Sequence, residues 1–460
     1  MVCAHRDGLV EPRRKLEPVQ TPSGYVSLTL NPPAPPSEPA AATPPGAEGW
    51  LRGRLEQLER IERPSASSGE REAAEWIVGQ LEGLGATARI EAEPAHGTYW
   101  WPLGIGTAAG VAGALTLLAG SSKASGSRAT RYGRGRSRPI SLGRRLLGGA
   151  LGLAGLAAIA RDFPPHERPL RKVLPENEAS NVVCELGDPD AELTVVLVAH
   201  HDAAHAGLIF HPGIPDLVAR TGIFRKLETS PMLMAPVLGG PALAALAALS
   251  GSRRLAVAAA VLSASSTASM IDIAMRDVVP GANDNGTAVV SLLELARRFL
   301  ADPPPGLRLI LLSAGAEESF SEGIRAFGER HFPDLPTEST FFINLDTVGS
   351  PHLTVLRGEG FLKMYDYPQP ALDLADRTAA DLGIPLYPNL RIRNGTDGLE
   401  PLAAGYPVVS ICSCTEHKQP ANYHWPNDLA ENVDFGTVGQ AIDLAEAMTR
   451  RLAVEWVGPG

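Results

Sequence analysis

The chain has 460 residues, of which 44% are hydrophobic and 20% charged, so a sizeable core is available and wholesale disorder is excluded. A formal charge of −10 argues against a nucleic-acid binder, because phosphate recognition needs a net basic face. Four scattered cysteines, Cys3, Cys184, Cys412 and Cys414, exclude a disulfide framework at this length.

In chain order, the first residues carry no apolar stretch, and no cleavable signal is read there. Residues 31–46 hold seven prolines among Ala, Ser and Thr, so 1–46 reads as a flexible leader. Residues 47–460 read as one domain interrupted by insertions at 101–162 and 208–278. Apolar residues at helical spacing predict helices over Trp50–Ile61 and Gly69–Leu84. Strands are predicted at Leu193–Ala199, Leu307–Leu312, Thr340–Leu345 and Pro407–Ile411. Helices are predicted at Ala288–Leu300, Ala371–Leu382 and Thr437–Leu452. Apolar strands alternating with helices predict an α/β fold, a mixed and mostly parallel sheet between helices.

Four further apolar stretches break this alternation: Leu103–Ala119, Leu146–Ala160, Met232–Ser250 and Leu255–Ile271. They form two hairpins with basic connections. Residues 121–145 carry Lys123 and seven arginines with no acid, and the second connection carries Arg253 and Arg254. Gly106/Gly110 and Gly148/Gly152 have the spacing that lets helices approach closely. Two readings fit, buried hairpins of a soluble protein or hairpins in contact with lipid. Membrane association through 103–160 and 232–271 is the expectation carried forward. Its side is open. Basic connections favour the cytoplasm, which would send about 100 N-terminal residues across without a signal. A hairpin dipping into the anionic cytoplasmic leaflet would satisfy both arguments.

Polar residues collect at the strand ends. His200-His201-Asp202 follows the first predicted strand, and Asn283-Asp284-Asn285 precedes a helix. Glu317-Glu318 and Asp346 follow the next two strands, and Tyr423-His424 lies near the C-terminus. Functional groups in open α/β sheets gather at such strand ends. Imidazole with carboxylate suits Zn²⁺. Cys412 and Cys414 end an apolar run and read as buried strand residues.

The order His-x-Asp, Asp-Asn, Glu-Glu, Asn-Leu-Asp, Tyr-His resembles the M28 family of zinc metallopeptidases, together with Arg63-Pro64-Ser65 and most of 173–455. The resemblance implies two zinc ions. His200 and Asp346 would serve one, Glu318 and His424 the other, and Asp284 would bridge them. Asp202 would orient His200, Glu317 would be the general base, and Tyr423 would hydrogen-bond the reacting centre. Adjacent Glu317 and Glu318 need a bend, which Gly315 would permit. The implied activity is an exopeptidase, an aminopeptidase acting on peptides. A carboxypeptidase, an N-acyl amino-acid hydrolase, a glutaminyl cyclase on the same fold and a non-catalytic scaffold stay open. Two departures stand out. The 208–278 insertion separates His200 from Asp284, and the family's Ser-Asp-His appears as Thr396-Asp397-Gly398. His201, His205, His211 and His417 carry no assigned role.

Overall fold

The computed structural model describes residues 47–119, 139–220 and 229–455. The Pro-rich leader and most of the basic 121–145 connection lie outside these residues. The chain opens with α1 (Ala47–Leu58), α2 (Ser68–Gly83) and β1 (Ala88–Ala95), then α3 (Trp100–Leu118) and α4 (Leu142–Asp162). Next come β2 (Asn177–Gly187), β3 (Leu193–His200), the short α5 (Gly213–Ala219), α6 (Ala235–Ser250) and α7 (Arg253–Ala274). The second half runs α8 (Thr287–Ala301), β4 (Leu307–Ala314), α9 (Glu322–His331), β5 (Thr340–Asp346), β6 (His352–Val355), β7 (Gly358–Glu359) and β8 (Tyr365–Asp366). It ends with α10 (Gln369–Leu382), β9 (Arg391–Ile392), α11 (Leu399–Ala403), β10 (Val408–Cys414) and α12 (Phe435–Glu455).

Seven strands form one mixed sheet in the order β1-β2-β4-β3-β5-β10-β6. Its centre is parallel, from β4 through β3 and β5 to β10, and both flanks are antiparallel. All eight residues of β3 are buried, as the apolar run Leu193–Ala199 demands of a strand covered on both faces. β7, β8 and β9 make a separate small sheet. Ser67 starts α2 by accepting a hydrogen bond from the Glu70 amide. The expected α/β architecture is present, and every predicted strand and helix has its counterpart.

The flanking strands β1, β2 and β6 and the helix α9 were not foreseen. β1 (Ala-Arg-Ile-Glu-Ala-Glu-Pro-Ala) buries Glu91, Glu93 and Ala95 and leaves Ile90 only half-buried, so its burial runs against its hydrophobic alternation.

The four apolar stretches fold as α3, α4, α6 and α7, and the two hairpins pack together as one four-helix bundle. The seams are made of small residues. A Cβ on Gly155 would stand 2.3 Å from the Gly106 carbonyl oxygen, and one on Gly113 would stand 2.7 Å from that of Gly148. Only hydrogen fits there, so the backbones of α3 and α4 touch. Between the hairpins, Thr267 donates to the Thr107 hydroxyl at 2.9 Å. α3, α4 and α7, of 19, 21 and 22 residues, are long and apolar enough to cross a membrane. α6 has 16 residues and contains Pro241.

Candidate metal centre

Because β4, β3, β5 and β10 run parallel, their C-terminal ends share one edge of the sheet. β3 ends on His200 and β5 on Asp346, and Glu317-Glu318 lie three and four residues beyond β4. An irregular turn, Ala282–Gly286, brings Asp284 to the same edge ahead of α8. His424 arrives on the loop after β10.

His200 Nε2 lies 3.5 Å from Asp284 Oδ1, and His424 Nε2 lies 3.4 Å from Asp284 Oδ2. His424 Nε2 is also 3.1 Å from Glu318 Oε2. Potential ligand atoms of His200, Asp284 and Asp346 lie within 4.8 Å of one another, as do those of Asp284, Glu318 and His424. Asp284 therefore belongs to both triads, with one oxygen turned to each histidine. Glu317 Oε2 sits 3.9 Å from His200 Nε2. The structure thus gathers all five expected ligands and the expected base at one place.

The donor set fits divalent cations. Glu318 Oε1 and both ring nitrogens of His424 are buried without a hydrogen-bond partner among the described residues. Such orphaned atoms are costly unless something else engages them. Burial, with Glu318 beside it, holds the Glu317 carboxyl well above its usual range. Burial also pushes Asp346 up to about 7, with Asp284 and Glu318 adding to the shift. Burial opposes protonation of His424, yet Glu318 and Asp284 raise it to about 10. Mutual repulsion among the carboxylates is what a divalent cation would relieve.

Buried charges hold the loops that carry these groups. Asp202 accepts from the Glu317 and Glu318 amides, each at 3.0 Å, and from Ser65 Oγ at 2.6 Å. Its Oδ1 lies 3.3 Å from His200 Nδ1, the position of a carboxylate that orients an imidazole. Asp428 accepts from the Asn283 and Asp284 amides at 2.7 and 3.0 Å. Arg63, fully buried, donates to the carbonyls of His201, Pro280 and Gly281, each at 2.7 Å. Glu70 accepts from the amides of Ala66, Ser180 and Ala316. Sequence reasoning gave no role to Arg63, Glu70 or Asp428. A buried charge whose partners are backbone groups leaves no periodic or spacing signal.

The bend before the glutamates differs from expectation. It falls on Ala316, at φ +53°, and not on Gly315. Gly315 is needed for another reason: a Cβ there would stand 2.6 Å from Glu70 Oε1. Phe320, Ser321, Thr347 and His424 also adopt left-handed backbone, a clustering of strain that functional sites commonly show.

A cleft opens over the cluster. Its apolar wall includes Tyr99, Phe210, Leu233, Met234, Phe320 and Phe361. Tyr423 lines it too, its ring stacked on His424 at 3.9 Å between centroids. Phe210 packs edge-on against both rings. Cys412 and Cys414 are buried residues of β10 at the back of the cleft. Asp397 is buried near His200 and Asp346, and burial holds its carboxyl well above the usual range. His201, His205, His211 and His417 do not line the cleft. His201 is buried against Ser313, and His205 packs on Trp100.

No curated protein matches the chain. Among solved structures, it resembles a Zn-dependent exopeptidase from Parabacteroides distasonis at 14% identity over 90% of this chain and 99% of that one, with a TM-score of 0.47. An aminopeptidase from Aneurinibacillus sp. gives 13% identity over 90% and 94%, with a TM-score of 0.49. A glutaminyl cyclase from Fimbriiglobus ruber gives 12% identity over 91% and 99%, with a TM-score of 0.49. Residues 264–449, which contain Asp284, Glu317, Glu318, Asp346 and His424, match the family model described as Peptidase family M28. That segment therefore carries the peptidase family M28 pattern, the family to which the order of motifs points.

Proposed function

We propose that the chain is a zinc-dependent exopeptidase that removes N-terminal residues from peptides. His200, Asp284, Glu318, Asp346 and His424 would hold two zinc ions. The observation that carries this reading is the sharing of Asp284, whose oxygens lie 3.5 and 3.4 Å from the Nε2 atoms of His200 and His424. Bound zinc would supply Lewis acidity, making water a nucleophile at neutral pH and polarising the amide carbonyl.

The protein's own groups do the rest. Glu317 accepts a proton from the attacking water and returns it to the departing amine. Asp202 fixes the His200 ring and, by holding the Glu317 and Glu318 amides, aims both carboxylates from one anchor. Tyr423, on the cleft wall, would donate a hydrogen bond to the oxygen that gains charge. The apolar wall receives the substrate side chain. The four inserted helices contact lipid as part of the same reading.

A substrate panel at fixed zinc tests this function. Free-amine peptides and a leucyl reporter should be cleaved, while peptides with a blocked amine should not. Hydrolysis of blocked peptides with a free carboxylate, or cyclisation of N-terminal glutamine without hydrolysis, would move the protein to another activity. A folded, zinc-free chain inert to every substrate would make it a scaffold.

A further inference from the structure

The bundle has two unlike ends. Tyr99, Phe163, Met234 and Ile273 stand at the ends of α3, α4, α6 and α7 nearest the cleft and belong to or pack against one apolar cluster with Phe320 and Phe361. Tyr99, Phe210 and Met234 also line the cleft itself. The opposite ends are basic. Arg144 donates to the Ala119 carbonyl just past α3, and Arg145 donates to the Ala248 carbonyl in the last turn of α6. These arginines complement the negative ends of two helices. Arg253 and Arg254 begin α7 at that same end.

Between the ends the helices carry no charge. Residues 100–118, 146–160, 235–250 and 255–271 contain no Asp, Glu, Lys or Arg. Their outward faces are apolar, with Leu153 59%, Val261 63% and Leu249 76% exposed. Outward hydroxyls are satisfied within their own helices: Thr116, Ser265 and Ser269 donate to the carbonyls of Ala112, Val261 and Ser265. This is the arrangement a backbone needs where no water is available. At about 1.5 Å per residue the four helices measure roughly 24 to 33 Å, against about 30 Å of bilayer hydrocarbon. Trp100 and Trp101 mark the cleft end of α3, where aromatic side chains meet headgroups.

We propose that α3, α4, α6 and α7 span a lipid bilayer as one bundle, with their basic ends in the cytoplasm and the cleft against the opposite surface. The proposal rests on the reading of lipid contact above and adds to it the crossing and its direction. Charge decides the direction. In sequence, the stretch joining α3 to α4 holds Lys123 and five arginines ahead of Arg144 and Arg145, the join of α6 to α7 leads into Arg253 and Arg254, and neither holds an acid. At the cleft ends acids and bases are balanced, as in Arg171 with Asp162 and Arg276 with Asp272. Short basic connections stay on the cytoplasmic side, whereas long domains cross largely regardless of charge. Peptides at the outer surface are then the ones that reach the site.

The full-length chain in membranes of a bacterial host tests this in two steps. A carbonate wash should leave it in the membrane pellet. Release, with the apolar faces covered in a soluble dimer, would overturn both the crossing and the lipid reading. Single cysteines in a Cys3→Ser background then read direction, with the parent as labelling blank. In intact spheroplasts an impermeant maleimide should label Asp190→Cys, on the catalytic domain, and should miss Ser250→Cys until the membrane is opened. The reverse pattern, or equal labelling of both, overturns the orientation while leaving lipid contact standing. Proteinase K on spheroplasts carrying the unaltered chain gives the same answer without substitution, since it should remove the catalytic domain. The leucyl reporter, assayed on detergent-solubilised protein, reads the peptidase chemistry separately from either outcome.

Discussion

The central sheet and the helical bundle are both apolar, yet they use apolar residues in opposite ways. In β3 the large side chains Val195, Val196, Leu197 and Val198 are buried. In the bundle Gly106, Gly113, Gly148 and Gly155 line the seams beside buried Leu103, Leu117 and Ile159, while leucines such as Leu146, Leu153 and Leu249 face outward. A core built for water hides its bulk. A bundle built for lipid has no hydrophobic drive to do so and gains from close backbone contact instead. On the proposed crossing the two regions answer to different solvents, and the cleft lies where they meet.

That comparison can be broken in several ways. The largest effect belongs to the sheet edge. Glu317→Gln should lower turnover on the order of a thousandfold while keeping the metal, because only proton transfer is removed. Near-parental rates would take Glu317 out of the base role. Next comes the sheet core, where Leu197→Ala should cost about 2–5 kcal/mol in denaturant unfolding, the usual effect of an unfilled cavity. In the bundle, Gly155→Val should cost about 1–3 kcal/mol by forcing α3 and α4 apart. Because Tyr99 and Phe163 hang from those helices, KM should rise more than kcat falls.

A pH effect separates the junction from both. Burial opposes ionisation of Glu322, but Arg171 at 3.0 Å, with His96 and Ser319, holds its carboxyl far below the usual range. A depressed folded pKa stabilises the protein fully above the unfolded value of about 4.3, and this is lost as pH falls further. Glu322→Gln should therefore be less stable than the parent at pH 7, with the gap closing in acid. A gap that widened in acid would contradict the assignment. The smallest effect is expected for Leu153→Ala on the outer bundle face, within about 0.5 kcal/mol in detergent. A cost like that of Leu197→Ala would mean Leu153 is buried against protein.

The ligand positions were legible because each sits at a point where hydrophobic periodicity stops. His200 and Asp346 end apolar strands, Asp284 precedes an amphipathic helix, and Glu317 follows β4. The central strands were legible for the same reason. The flanking β1 was not, since it buries Glu91 and Glu93, the reverse of what its alternation would suggest. Arg63, Glu70 and Asp428 received no role because their partners are backbone amides and carbonyls supplied by distant segments. The merging of two hairpins into one bundle was also hidden. Gly110 meets Pro241 and Ser263 through packing that sequence spacing within one hairpin cannot express.

Metal content of the purified parent and of Asp284→Ala tests the shared carboxylate most directly. We expect about two zinc ions per chain in the parent, as a co-catalytic pair requires. The Asp284→Ala chain should lose zinc together with leucyl-reporter hydrolysis while remaining folded. Full zinc occupancy in Asp284→Ala, or a folded parent that binds none, would contradict the account.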